Sequence, residues 1–273
     1  MAYIKEYWKN KEQRAETARK HTKEMQNKYG RCIQTSILGT KIYDNSSFEC
    51  EIEEDIPDVE TNIIVEDIDS VGAVMKHGNP STAVLNFSSY KNPGGMFING
   101  SKAQEECLCH ESFLYNVLRE FQTEFYDWNN HHKNKALYLN RGLFSPCIWF
   151  ARNENSPVEC CVITCAAPNK SAAQKYQNVS DEENTRVLRS RIKFVLDIAK
   201  ANNIHTLILG AYGCGVFGQD ATEVANIFKE YLTTTYKCFD TVIFAVPSGR
   251  DGNYEKFAKV FLSNTRNIDF FWM

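Results

Sequence analysis

Two adjacent acids, Glu105 and Glu106, follow Gln104 just after a glycine-rich stretch, Pro93-Gly94-Gly95-Met96-Phe97-Ile98-Asn99-Gly100. Acids in the first turn of a helix complement its partial positive charge by about 0.3–1 kcal/mol each, and in many proteins that is their whole role. Behind a glycine loop they could also move protons. Glycine lets the backbone approach a ligand closely, and the open N–H groups of a helix start favour an anion. A second stretch runs from Gly210 to Gly218 and contains Gly213-Cys214-Gly215-Val216-Phe217-Gly218. Each stretch follows an apolar run that reads as a buried strand and precedes a helical pattern. That arrangement suits a phosphate lying beyond the carboxyl ends of a sheet.

Familiar nucleotide motifs fit less well. The second stretch satisfies G-x-G-x-x-G, but a dinucleotide fingerprint opens the first βαβ unit and places an acid on the ribose about 20 residues on. Here the motif lies late in the chain, and Asp240 precedes a strand instead of ending one, which argues against a nicotinamide-dependent oxidoreductase. The first stretch looks like a P-loop until Ser101 intervenes between Gly100 and Lys102, with Ala103 after it, so triphosphate hydrolysis is rejected. Cys107 and Cys109 have no second ligand pair at zinc spacing and read as helix packing residues. Cys160 and Cys161 fall on one strand and face opposite ways. Cys214 reads as a small residue allowing close approach, with no histidine near it in sequence to act as a base. His131-His132 reads as a solvent-exposed pair. These patterns require neither a metal nor a cofactor.

The elements that must position the acids can be read from periodicity. A helix is predicted over about Tyr3 to Lys28; its weakly apolar face fits a solvated helix lying on the core, with an accessory arm as the alternative. Asn62 to Glu66 reads as a short strand, and Asp69-Ser70 caps a helix over Val71–His77. Ala83–Phe87 is a strong strand, followed by the first glycine loop and a helix from about Gln104 to Glu124. Leu137–Leu139 and Cys147–Phe150 read as two strands around a turn at Ser145-Pro146. The strand Cys160–Ala166 ends before Pro168, and Asp181–Lys200 is a long amphipathic helix. Then come strand Thr206–Leu209, the second glycine loop, helix Thr222–Thr233, strand Thr241–Val246 and helix Tyr254–Leu262. Residues Gly39 to Asp58 are irregular. Strands alternating with helices argue for an α/β domain with a largely parallel sheet covered on both faces. The division expected is an N-terminal helical extension over residues 1–60 and a core over 61–273.

Composition bounds the function further. The 273 residues carry a formal net charge of −3, so no global basic field exists to hold a nucleic-acid backbone, and generic nucleic-acid binding is not expected. Ten cysteines form no regular framework, and Met1 to Gly30 has no signal-peptide core. No apolar run reaches the roughly 18 residues of a membrane span. The expectation is an intracellular protein, cytoplasmic or nuclear, without a membrane partner.

Three blocks in order also resemble the microbial-type poly(ADP-ribose) glycohydrolases. The first is Leu85-Asn86-Phe87 with Asn92-Pro93-Gly94-Gly95, Gly100 and Ala103-Gln104-Glu105-Glu106. The second is Val162-Ile163-Thr164 with Ala166-Ala167-Pro168-Asn169. The third is Leu209-Gly210-Ala211-Tyr212 running on through Gly213–Gly218. The resemblance implies a macrodomain-like three-layer sandwich, a mixed and mostly parallel sheet flanked by helices, with ADP-ribose in a surface cleft. It implies Glu106 as the catalytic residue and Glu105 as the holder of the adjoining ribose hydroxyls. Gln104, Gly94, Gly95, Met96 and Ser89 would line the sugar. Gly213, Cys214, Gly215, Val216 and Gly218 would wrap the diphosphate, and Phe217 would pack on the distal ribose. One carboxyl can serve as acid and then base in such a cleavage, provided it keeps its proton near neutral pH, which burial and a neighbouring diphosphate favour. Met96 stands where the family has a third glycine, so an ADP-ribose-reading module without turnover is the alternative.

Overall fold

The computed structural model describes residues 10–48, 59–152 and 156–262. Among them, seven strands form one sheet. They are β1 Lys41–Asp44, β2 Asn62–Glu66, β3 Thr82–Phe87, β4 Arg141–Phe150, β5 Val158–Cys165, β6 Thr206–Leu209 and β7 Thr241–Ala245. Their spatial order is β1-β4-β5-β3-β6-β7-β2. β5, β3, β6, β7 and β2 run parallel; at one edge β4 pairs antiparallel with β5 and β1 antiparallel with β4, so β4 alone runs against the rest. The sheet is therefore mixed and mostly parallel.

Parallel strands buried on both faces need apolar residues at consecutive positions, and β3 has them: Ala83, Val84 and Leu85 are all fully buried. Successive side chains point to opposite faces. Ala83 and Leu85 pack in one core with helices α6 Asp181–Ala201, α7 Ala221–Thr234 and α8 Asn253–Leu262. Val84 packs in the other core with α1 Lys11–Gly39, α2 Ser70–His77, α3 Gln104–His110 and α4 Leu114–Leu118. Three layers result. Cys160 and Cys161 divide between the two cores as the strand period requires. Because β3 and β6 pair in parallel, with Val84 opposite Ile208, both glycine stretches leave the sheet at the same end.

Several elements depart from the sequence reading. The first helix runs to Gly39, with a kink at Tyr29 beside Gly30; the expected start at Tyr3 falls outside the described residues. It is no loose arm, since Arg14, Ala15, Ala18 and Ile33 are buried. The stretch read as irregular supplies strand β1, paired to β4 through Ile42 opposite Leu143, and a helix not foreseen, α5, covers Lys170–Gln177.

The helix expected to reach Glu124 stops at His110. Ser112 accepts the Leu114 N–H and forms an isolated bridge with Phe150, and Ala151 donates to the Glu111 carbonyl, so tertiary pairing to β4 overrides helix continuation. The chain resumes as α4, then a 3₁₀ turn and a π-helical turn over Gln122–Asp127. Cys147–Phe150 is the second half of one longer strand, β4, which runs through the turn expected at Ser145-Pro146 with a bulge between Ser145 and Ile148 that accommodates the missing Pro146 N–H. Leu137–Leu139 is not a strand. No helix among the described residues is long and apolar enough to cross a membrane.

Candidate active site

The first glycine loop forms a tight turn at the end of β3. Gly94 and Gly95 have φ of +62° and +61°, a region that costs an L side chain about 1–2 kcal/mol. Space imposes a second demand. A Cβ on Gly95 would lie 2.6 Å from Glu106 Oε1 and 2.9 Å from Glu105 Oε2, so both carboxylates converge beneath this one glycine. Gly94 rests on Tyr115 and Cys109, where a Cβ would meet the ring at 2.8 Å and the sulfur at 3.1 Å. Cys109 is thus a packing residue; Cys107 lines the neighbouring surface, and burial pushes its thiol up to about 12.

The acids are held in different ways. Glu105 is 3% exposed. Its Oε2 accepts the Ser89 N–H at 2.6 Å, and its Oε1 accepts from Asn86 Nδ2 at 3.3 Å. Burial pushes its carboxyl well above the usual carboxylate range and the Glu106 charge adds to that, against the Ser89 and Asn86 hydrogen bonds. Glu106 is 6% exposed, and its Oε1 accepts the Met96 N–H at 2.8 Å. Its Oε2 is buried and has no hydrogen-bond partner among the described residues. One oxygen is therefore anchored to the glycine loop, while the other is buried without a partner among the described residues.

Gln104 is committed elsewhere. Its Oε1 accepts the Phe87 N–H at 2.8 Å, and its Nε2 donates to the Leu85 carbonyl at 2.8 Å and to Ser70 Oγ at 3.0 Å. It braces the end of β3 against α2 and so fixes where the two acids begin. The Ser89 hydroxyl accepts the Asn92 N–H at 3.2 Å within the loop, and the backbone N–H of Ser89 is what reaches Glu105. Met96 has φ −111°, ordinary for any residue, and its side chain is 42% exposed.

The loop is also strapped from outside. Arg14 of α1 is buried and donates from Nε to the Gly100 carbonyl at 2.7 Å. Gly100, at φ +78°, packs so closely on α1 that a Cβ there would run into the Lys11 carbonyl oxygen.

The second glycine loop is built more openly. Gly213 has φ +77° and packs on Ala167 and Gln219, while Gly218, at φ +72°, abuts the Ser171 hydroxyl at the start of α5. Turn bonds use the N–H groups of Cys214, Gly218 and Gln219. The N–H groups of Gly215, Val216 and Phe217 are not used in hydrogen bonds among the described residues. Val216 is 89% exposed, and a Cβ at Gly215 would meet nothing within 4 Å. Burial pushes the Cys214 thiol up to about 12, so it is a small neutral residue. Such a row of uncommitted amides suits an anion.

The family model for the microbial-type PARG catalytic domain matches residues 9–153. This chain belongs to that family. A solved poly(ADP-ribose) glycohydrolase from Thermomonospora curvata, bound to the inhibitor ADP-HPD, is 29% identical over 91% of this chain and 99% of that one, with a TM-score of 0.79. The Deinococcus radiodurans poly(ADP-ribose) glycohydrolase in complex with ADP-ribose is 30% identical over 85% of this chain and 97% of that one, with a TM-score of 0.75. Comparison with curated proteins gives no match. The seven-stranded sheet and its flanking helices match the macrodomain-like architecture of these glycohydrolases.

At the exits of β3, β6 and β7 lies a cleft of about 400 Å³, lined in part by Phe87, Lys102, Gln104, Ala211, Val246 and Ser248. Asp67, just after β2, accepts the Ser248 N–H at 2.6 Å and its hydroxyl at 2.7 Å, which steadies Ser248 in the cleft lining and holds the Asp67 carboxyl below the usual range. Sequence reasoning singled out neither Asp67 nor Asn86 nor Arg14. The signals present were Pro247-Ser248-Gly249 after the last strand and a polar Asn86 inside an apolar run. Among the described residues no cluster of His, Cys, Asp and Glu could hold a metal ion.

Proposed function

We propose that this chain hydrolyses the ribose–ribose O-glycosidic bond of poly(ADP-ribose), releasing ADP-ribose, with Glu106 as acid and then base. The nucleoside end of the unit occupies the cleft beside Ser248 and Phe87. The diphosphate lies against the N–H groups of Gly215, Val216 and Phe217, and the proximal ribose rests over Gly94 and Gly95. Cys214 and Gly213 shape that loop without touching the reaction.

As the C1″–O bond breaks, the Glu106 carboxyl gives its proton to the leaving oxygen, and positive charge develops on the ribose. The bound diphosphate offsets that charge. Water adds to C1″ and returns a proton to the Glu106 carboxylate, which restores the acid. Glu105, fixed by Ser89 and Asn86, orients the ribose hydroxyls.

The observation that carries this reading is the division of labour within the Glu106 side chain, one oxygen tied to the Met96 N–H and the other buried without a partner. The ADP-ribose complex of the Deinococcus relative supports the ligand class. The nine described cysteines are all free, which supports an intracellular setting.

Glu106→Gln keeps the shape and removes the transferable proton. Release of ADP-ribose from labelled polymer should fall by about 10²–10⁴, the range ascribed to general acid–base catalysis, while calorimetry shows ADP-ribose still bound. A variant that turns over like the wild type sinks the mechanism.

A further inference from the structure

Tyr90 follows Ser89, whose N–H holds Glu105, and the mechanism above does not use it. Its ring stacks on Tyr138 with centroids 4.0 Å apart and planes 21° apart. Tyr138 in turn lies 6.2 Å from Phe217 in the second glycine loop. The three rings form one rim of the site, from beside the carboxylates to the diphosphate amides. Tyr138 is 7% exposed and lies beneath, while Tyr90 is only partly buried.

The backbone under this rim is unusual. Asn134, Lys135, Ala136 and Tyr138 have φ of +43°, +54°, +67° and +60°, a left-handed turn made without glycine. Such strain persists only where the surroundings over-determine it, and it gathers at functional sites. Here Asn134 Nδ2 donates to the Tyr138 carbonyl at 3.1 Å, the Asn169 N–H to Ala136 at 3.0 Å, and Arg191 Nη2 to Leu137 at 3.4 Å. What the strained turn delivers is the Tyr138 ring under Tyr90. Beside the pair lie two exposed cations, Lys91 and Lys133, neither of which pairs with a carboxylate among the described residues.

In a ribose–ribose polymer the leaving oxygen belongs to the ribose of another adenosine. Once C1″ sits at Glu106, the leaving adenine hangs from the carbon next to the one bearing that oxygen. Its base therefore falls within a side chain's length of the scissile bond, with its own diphosphate just beyond. We infer that Tyr90, propped by Tyr138, is the platform on which the adenine of the leaving unit stacks, and that Lys91 and Lys133 meet its diphosphate. This rests on the polymer-hydrolase reading above.

Base–aromatic stacking contributes about 1–3 kcal/mol, or roughly 5- to 150-fold. Tyr90→Ala should lower kcat/KM on poly(ADP-ribose) by about tenfold or more, and Tyr90→Trp should restore it. The Kd for free ADP-ribose, which has no leaving unit, should shift less than twofold. Lys91→Glu should lower polymer turnover further at low salt than at high salt. Wild-type protein that leaves polymer intact overturns both readings together. Polymer turnover unchanged in Tyr90→Ala, or an equal loss of ADP-ribose affinity, overturns this inference alone, the latter because Tyr90 would then only pack the loop.

Discussion

The two glycine loops leave neighbouring strands at the same end of the sheet, yet they are built on opposite principles. Gly94–Gly100 is over-determined. Two carboxylates press beneath Gly95, the Met96 N–H is tied to Glu106, and Gly100 is clamped by Arg14 and the first turn of α1. Gly213–Gly218 is held by turn bonds, by Gly213 on Ala167 and by Gly218 and the Phe217 carbonyl on Ser171, but Gly215 and Val216 stand in solvent and no carboxylate presses on them. Where bonds are made and broken, the reacting groups must be held to a fraction of an ångström. If the diphosphate lies on the second loop, as proposed, that loop must keep its N–H groups available until the ligand arrives.

The sharpest way to break this comparison is one methyl group in each loop. In Gly95→Ala the new Cβ meets both carboxylates at under 3 Å and also takes a left-handed φ. Misplacement by about an ångström costs on the order of 10² in rate, so kcat on polymer should fall at least that far. In Gly215→Ala the Cβ meets nothing, and kcat and stability should stay close to wild type, within about 0.5 kcal/mol for the latter. Parallel kinetics and thermal melts on the pair decide it. Similar losses in both variants would mean that the two loops are equally constrained.

Much of this layout was legible in the sequence because it rests on local signals. The apolar runs of β3, β5, β6 and β7 gave the strands, and the glycines before Gln104 and after Leu209 gave both turns. What was hidden depends on partners far along the chain. Arg14 and Gly100 lie 86 residues apart, and nothing in the helical pattern around Ala15 and Ala18 distinguishes a strap from an arm. The helix break at Glu111-Ser112 comes from pairing with β4, and the left-handed turn at Asn134–Tyr138 has no glycine to announce it. The glutamates were visible as a pair, but their division between the Ser89 and Met96 N–H groups was not, because both bonds close across a turn.

The strap can be tested on its own. Arg14→Met keeps most of the buried volume and removes the bond to Gly100. A buried hydrogen bond from a charged group contributes about 1.5–3 kcal/mol, and for a domain this size each kcal/mol moves Tm by roughly 2–4 °C. Melting should therefore drop by about 3–12 °C. If α1 positions the catalytic loop, kcat falls about tenfold as well, while the ADP-ribose Kd, set largely by the other loop, moves less than threefold. A lower Tm with unchanged kcat would leave Arg14 a stabilising residue only.

The raised carboxyl of Glu105 predicts a pH signature. A group whose folded pKa lies above its unfolded value contributes stability below the ordinary carboxylate range and loses it as pH rises through the folded value. Burial, the main cause here, penalises the charged form. Glu105→Gln removes that penalty. Its Tm should match the wild type near pH ~4 and exceed it increasingly toward neutral pH. A difference that shrinks with rising pH would show that the Ser89 and Asn86 hydrogen bonds outweigh burial.

The smallest effect is expected at Met96, where the resemblance implies a third glycine. At Met96 the loop needs only the backbone N–H that reaches Glu106, and φ of −111° is open to any residue. The residue is 42% exposed, and Asn99 Nδ2 donates to its sulfur at 3.8 Å. Met96→Gly should destabilise by about 0.4–1 kcal/mol through the greater freedom of the unfolded chain, and kcat should stay within about threefold. A tenfold rise in kcat on restoring the third glycine would place the methionine over the sugar, and the boundary between the rigid and open parts of the site would have to run through Gly95 instead of beyond it.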